Sequence, residues 1–264
     1  MIRSNSEGDI YIEEMPLLLV HLREEEKGAD ARLSEVLSYA LDGYAYETAT
    51  EISAFEDYVN RWRRLEKTQN RKNPVQGRIL FAVPLGTSGI NLELYRLIRF
   101  LREHPDFLNG FVGGLLVDSE NDLYSKSAAK DLVFAANCAG CAFVGRPLVE
   151  GTRTLSNYTI VSNNLGTDLM GAYRESAAGL VKEVLGTDCV RKKCPKVLVL
   201  HASSHKTSNT YAIWNRVKEQ LPEMEIREIG LRNGTLSDCA GCPYKMCLHF
   251  GEQGSCFYGG VMVE

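Results

Sequence analysis

Two segments near the end of the chain carry side chains that could do chemistry. Residues 202–210 are rich in hydroxyl, amide and charged groups, which bind phosphate. Residues 239–256 contain closely spaced cysteines, and thiolates bind iron–sulfur clusters or zinc. The candidate residues are Ser203, His205, Lys206, Ser208, Asn209 and Thr210 in the first segment, and Cys239, Cys242, Cys247 and Cys256 in the second.

The polar segment connects a predicted strand to a predicted helix. Residues 197–200 (VLVL) form a short apolar run after Pro195, which predicts a strand buried on both faces. Residues 211–221 then carry apolar side chains at helical spacing. A strand, a polar loop and a helix start bring backbone N–H groups together, which is a geometry that binds phosphate. The alternative is a Ser/Thr-rich helix cap without a ligand.

The segment contains neither GxGxxG nor GxxxxGK(S/T), so a Rossmann dinucleotide site or a P-loop NTPase is not supported. It resembles the flavin phosphate loop of the NAD(P)H-dependent FMN reductases and iron–sulfur flavoproteins, whose pattern is roughly G-S-P-R-K-x-G-N-T. Four residues match this pattern, namely Ser203, Lys206, Asn209 and Thr210. The residues that differ are Ala202, Ser204, His205 and Ser208. An imidazole in place of the arginine carries less charge at neutral pH.

This resemblance implies a flavodoxin-like fold and FMN bound through the candidate residues of the polar segment. It also implies NAD(P)H as the hydride donor and a small electron acceptor, and it allows a homodimer. A flavin accepts hydride itself, so the absence of an evident acid–base constellation does not count against this function. The alternative is a non-catalytic electron-transfer or metal-binding protein that uses the cysteine segment, and a third is a flavodoxin-like unit retained for dimerisation.

The cysteine segment suits a 4Fe–4S cluster or tetrahedral zinc, since both take thiolates from one short segment. The same resemblance implies a compact cysteine motif at this position, usually C-x2-C-x2-C. Here four residues separate Cys242 from Cys247, which departs from that spacing. Zinc held by Cys239, Cys242, Cys247 and His249 is one alternative, and a reduced segment without a metal is another.

Composition limits the remaining classes of function. The chain has 264 residues, 44% hydrophobic and 24% charged, with a net charge of −4, which disfavours nucleic acid as a partner. The apolar run 15–20 is too short to span a membrane. We therefore expect a cytoplasmic protein whose eight cysteines are free, metal-bound or redox-active. Cys138 and Cys141 are expected in the core.

Strands and helices alternate over residues 15–186, which predicts a parallel sheet with helices on both faces. Five predicted strands fit a flavodoxin-like three-layer sandwich in the order 2-1-3-4-5. The strands are expected at 16–22, 44–53, 78–84, 111–117 and 141–144, and one final helix is expected within 163–185. Residues 82–101 and 113–152 also resemble the third to fifth strands of the same family, with their helices.

The first domain (15–186) lacks an obvious phosphate loop. Three consecutive carboxylates, Glu24 to Glu26, follow its first strand and would repel a phosphate, so we expect this domain to have lost its flavin. A linker is expected at 187–195, and 196–264 reads as the N-terminal half of a second flavodoxin-like domain. That half is too small to stand alone, which predicts a C-terminally truncated chain. The alternative is an extension that docks on the first sheet.

Acidic residues also end the fourth predicted strand. Asp118, Ser119 and Glu120 lie at the edge where ligands of such folds bind, although strand-end acids are usually solvated. Tyr124 follows closely and is expected to pack in the core. The sequence thus predicts an FMN-dependent NAD(P)H oxidoreductase whose site lies in the second domain.

Overall fold

The computed structural model describes residues 3–4, 10–11, 15–21, 23, 27–68, 76–188, 196–202, 208–231 and 241–257. The chain divides into two compact units, Met1–Cys189 and Val190–Glu264. Within the described residues, no helix is both long enough and apolar enough to cross a membrane.

The first unit contains a five-stranded parallel sheet. Its strands are β1 (Leu17–His21), β2 (Tyr46–Ala49), β3 (Gly77–Leu85), β4 (Phe111–Ser119) and β5 (Ala142–Gly151). Its helices are α1 (Lys27–Ala40), α2 (Ile52–Thr68), α3 (Leu92–Glu103), α4 (Ser125–Cys138), α5 (Thr159–Leu165) and α6 (Leu169–Gly186). The strand order is β2-β1-β3-β4-β5, which confirms the predicted flavodoxin-like fold. The two-residue strands Arg3–Ser4 and Ile10–Tyr11 pair antiparallel outside this sheet.

Helices cover both faces of this sheet. On one face α2, α3 and α4 bury a core that includes Phe55, Phe81 and Leu132. On the other face α1 and α6 bury a second core that includes Leu33 and Tyr173. A parallel strand between two helical layers must be apolar on both sides, which is why β1 and β3 read as continuous apolar runs.

Two elements at the end of the first unit differ from the prediction. The fifth strand is longer than 141–144 because it continues past an irregularity in its pairing with β4 and runs to Gly151. The single helix expected within 163–185 is two helices. Gly166 ends α5 with φ of 66°, a conformation that glycine adopts readily. Asp168 then begins α6 by accepting a hydrogen bond from the Gly171 N–H.

The second unit contains a two-stranded parallel sheet of β6 (Lys196–His201) and β7 (Glu225–Gly230). Its helices are α7 (Asn209–Glu219) and α8 (Tyr244–Glu252), so part of the cysteine segment is a helix rather than the predicted loop. The prediction that β6 is buried on both faces is wrong. Leu198 is 59% exposed and Leu200 is 57% exposed, because α7 lies on the opposite face of the strand.

Candidate functional site

The candidate flavin site lies between β6 and α7. Residues 203–207 are outside the described residues, so the predicted roles of Ser203, His205 and Lys206 stay predictions. Ser208 directly precedes α7, and its hydroxyl accepts a hydrogen bond of 3.3 Å from the Tyr211 N–H. Ser208 therefore caps α7, as serine commonly does at this position.

Asn209 and Thr210 form the start of α7, and both are exposed. The first backbone N–H groups of a helix have no acceptor inside the helix, and together they attract anions. The amide of Asn209 and the hydroxyl of Thr210 are thus placed where they can add donors to such a site. The start of α7 follows the carboxyl end of β6, which is the edge where ligands of doubly wound sheets bind.

His201 is the last residue of β6, and its ring packs against the first turn of α7. Its ring centroid lies 5.1 Å from that of Tyr211 in the first turn of α7. On β7, Gly230 faces the same ring, and a Cβ atom there would lie 3.3 Å from the imidazole. The His201 carbonyl accepts a 2.7 Å hydrogen bond from the Leu231 N–H. Among the described residues no group bonds the buried Nδ1 of His201.

A feature that recurs in the two units indicates His201, and it is visible in the sequence. The first strand of each parallel sheet ends in a histidine, His21 in β1 and His201 in β6, and each histidine contacts the helix that follows it. In the last turn of α7, Lys218 donates a hydrogen bond to Glu228 of β7. That hydrogen bond lowers the pKa of Glu228 and raises the pKa of Lys218, so both groups stay charged and fasten α7 to the sheet.

The four predicted cysteine ligands are only partly described. Cys242 is half-buried, whereas Cys247 on α8 and Cys256 beyond it are exposed, and Cys239 lies outside the described residues. Among the described His, Cys, Asp and Glu side chains, no three are grouped closely enough to hold a metal ion. The 4Fe–4S cluster therefore stays a prediction that requires Cys239.

A second polar site lies at the carboxyl edge of the first sheet. Asp118, at the end of β4, is fully buried, so the expectation that it is solvated is wrong. Arg32 of α1 reaches it with Nε at 3.1 and 3.0 Å from the two carboxylate oxygens and with Nη2 at 2.7 Å. The guanidinium also donates to the carbonyls of Ser119 and Arg153. A partner from α1 makes the burial of this carboxylate tolerable.

Burial and pairing shift the pKa values of Asp118 and Arg32 in opposite directions. Burial raises the pKa of Asp118, and the guanidinium of Arg32 opposes that rise. Burial would lower the pKa of Arg32, but the hydrogen bonds and charge of Asp118 raise it overall. Tyr173 lies next to the same carboxylate, and burial raises the pKa of its hydroxyl well above the ordinary range. The Tyr173 phenol beside this pair is therefore neutral at neutral pH.

Two further contacts surround the start of α1. The Ala29 N–H donates to Glu120 Oε1 at 3.2 Å. His21 Nε2 lies 2.8 Å from Asp30 Oδ1. Burial lowers the pKa of His21, and its contact with Asp30 only partly opposes that effect. His21 is therefore neutral at neutral pH.

Tyr124 lies at this same edge, whereas Cys138 and Cys141 lie at the opposite, amino edge of the sheet, between α4 and β5. Tyr124 is 54% exposed, so its predicted packing in the core is wrong. Its backbone adopts a φ of 73°. Its ring lies against Gly89, where a Cβ atom would come within 2.5 Å of it. Of the two cysteines expected in the core, Cys141 is buried and Cys138 is exposed.

No protein-family model matches this sequence, and no curated protein matches it either.

Proposed function

We propose that this protein is an FMN-dependent NAD(P)H oxidoreductase that binds the FMN phosphate at the start of α7. The observation that supports this most directly is the β6–α7 connection. Ser208 caps the helix, while Asn209 and Thr210 are exposed in its first turn. These three residues also lie in the segment that resembles the flavin phosphate loop.

The residues present fit a phosphate group. Backbone N–H groups at the start of α7 supply partial positive charge, and the side chains of Asn209 and Thr210 supply neutral donors. Lys206 provides the positive charge that a phosphate dianion requires. FMN, when bound, would supply the hydride-accepting ring, and the start of α7 would orient it through its phosphate.

The test replaces Asn209 and Thr210 with alanine in the full chain and measures FMN affinity by fluorescence titration. Each hydrogen bond to a charged group contributes roughly 1.5–3 kcal/mol, which is about one to two orders of magnitude in affinity, so loss of both should lower affinity by about two to four orders of magnitude. Asn163→Ala is a suitable control, because Asn163 is an exposed asparagine on α5 of the first unit. Equal affinities of the double variant and the native chain would exclude this site.

The cysteine segment would add a second redox centre to the flavin. A 4Fe–4S cluster held by Cys239, Cys242, Cys247 and Cys256 would pass electrons from the flavin to the small acceptor. Eight cysteines fit a reducing cytoplasm, where we place the protein. A homodimer is part of the proposal because flavin ring contacts are then available from a second copy.

A further inference from the structure

The start of α1 in the first unit is already occupied by a negative charge from the chain itself. Helix α1 begins at Lys27, so the Ala29 N–H belongs to the first turn and has no acceptor inside the helix. Glu120, which directly follows β4, supplies the acceptor with its Oε1 at 3.2 Å. The two residues are 91 positions apart in the sequence, so this contact depends on the fold.

A positive charge in the first two turns of α1, that of Arg32, is also engaged. Arg32 donates to both oxygens of Asp118 and to the carbonyls of Ser119 and Arg153. Asp118 neutralises its charge, and Glu120 acts on the same guanidinium as a second negative charge. Arg32, Asp118 and Glu120 together carry a net negative charge, which opposes the approach of a phosphate.

The described part of the second unit differs at the corresponding position. The start of α7 is capped by the neutral hydroxyl of Ser208, and Asn209 and Thr210 are exposed. Among the described residues, no carboxylate is hydrogen-bonded to the first-turn N–H groups of α7. Equivalent helix starts therefore carry an internal anion in one unit and a neutral cap in the other.

We propose that Glu120 is a built-in anion, which takes the place at α1 that a bound phosphate takes in strand–loop–helix anion sites. Ordering of α1 in the first unit then needs no phosphate ligand. This inference rests on contacts within the first unit and stands whether or not the second unit binds FMN.

The test measures amide hydrogen exchange of the first turn of α1 in the full chain. In the native protein these amides should exchange slowly, at a rate that inorganic phosphate does not change. In Glu120→Ala they should exchange about tenfold faster, as expected for loss of one hydrogen bond to a charged group. Because Glu24 to Glu26 repel phosphate, rescue is measured in Glu120→Ala with these three residues also changed to glutamine. There inorganic phosphate should restore slow exchange, while chloride at the same ionic strength should not.

Two further variants keep the result interpretable. Glu93→Ala is the control, because Glu93 is an acidic residue at a helix start that pairs with Arg96 of its own helix rather than with the start of another helix. Glu120→Gln keeps the shape and an acceptor without the charge, and it replaces Glu120→Ala if that variant does not fold. Unchanged exchange, or faster exchange that phosphate does not slow, would overturn the role of Glu120 as an anion.

Discussion

β1 and β6 are the first strands of the two parallel sheets, and each ends in a histidine and leads into a helix on one face of its sheet. The two strands nevertheless differ in burial. All five residues of β1 are buried. In β6 exposed and half-buried residues alternate, and Leu198 lies on the exposed face. Counted back from the two histidines, Leu198 corresponds to Leu18, which is completely buried. Similar strand sequences thus reach different burial because β1 has helices on both faces and a strand on each side.

The two units also differ in their polar contacts, which involve more charged groups in the first unit. In the first unit His21 contacts Asp30, Arg32 contacts Asp118, and the start of α1 contacts Glu120. In the second unit His201 packs against Tyr211, and the start of α7 is capped by Ser208. Charged groups of the first unit thus have charged partners within that unit, whereas the start of α7 has a neutral cap.

The largest effect is expected from Arg32→Met. This change leaves the carboxylate of Asp118 buried without its partner, which typically costs about 3–5 kcal/mol. The free energy of unfolding of the first unit, measured by chemical denaturation, should fall by that amount. Arg99→Met is the control, because the Arg99–Glu103 pair is exposed and its loss should cost less than about 1 kcal/mol. Similar losses in the two variants would show that Asp118 has another partner in solution.

Leu18→Ala and Leu198→Ala compare the two strands directly. Truncation of the buried Leu18 should cost about 2–5 kcal/mol, as for other core leucines. Truncation of the exposed Leu198 should change the free energy of unfolding by no more than about 0.5 kcal/mol. A cost at Leu198 comparable to that at Leu18 would mean that this face of β6 is covered in solution, and the contrast between the strands would then disappear.

A smaller effect is expected from acidification of the first unit. Burial lowers the pKa of His21 below its ordinary value of 6.5, although Asp30 opposes this and Arg23 adds to it. Below pH 6.5 the unfolded chain binds a proton that the folded unit does not, so stability decreases until the pH reaches the lowered pKa. The slope should not exceed about 1.4 kcal/mol per pH unit. His21→Gln should remove this part of the pH dependence, and an unchanged slope in the variant would contradict the assignment.

Much of the first unit could be predicted from the sequence, because buried parallel strands are continuous apolar runs and helices have apolar faces. The burial of Asp118 could not be predicted, since its partner Arg32 lies 86 positions earlier and only the fold brings them together. The exposure of β6 was missed because burial depends on neighbouring layers and not on the strand itself. The left-handed conformation of Tyr124 has no signal in its own residue type, since tyrosine rarely adopts it.

The contacts of Arg32 also constrain the order of events during synthesis of the chain. Its acceptors, the Asp118 carboxylate and the Arg153 carbonyl, lie 86 and 121 positions later in the sequence. Chains are made from the N-terminus at about 5–20 residues per second, so α1 leaves the ribosome several seconds before either acceptor exists. During that interval its guanidinium remains hydrated and the helix cannot dock in its final position. The first unit therefore completes its fold only after β4 and the segment following β5 have been synthesised.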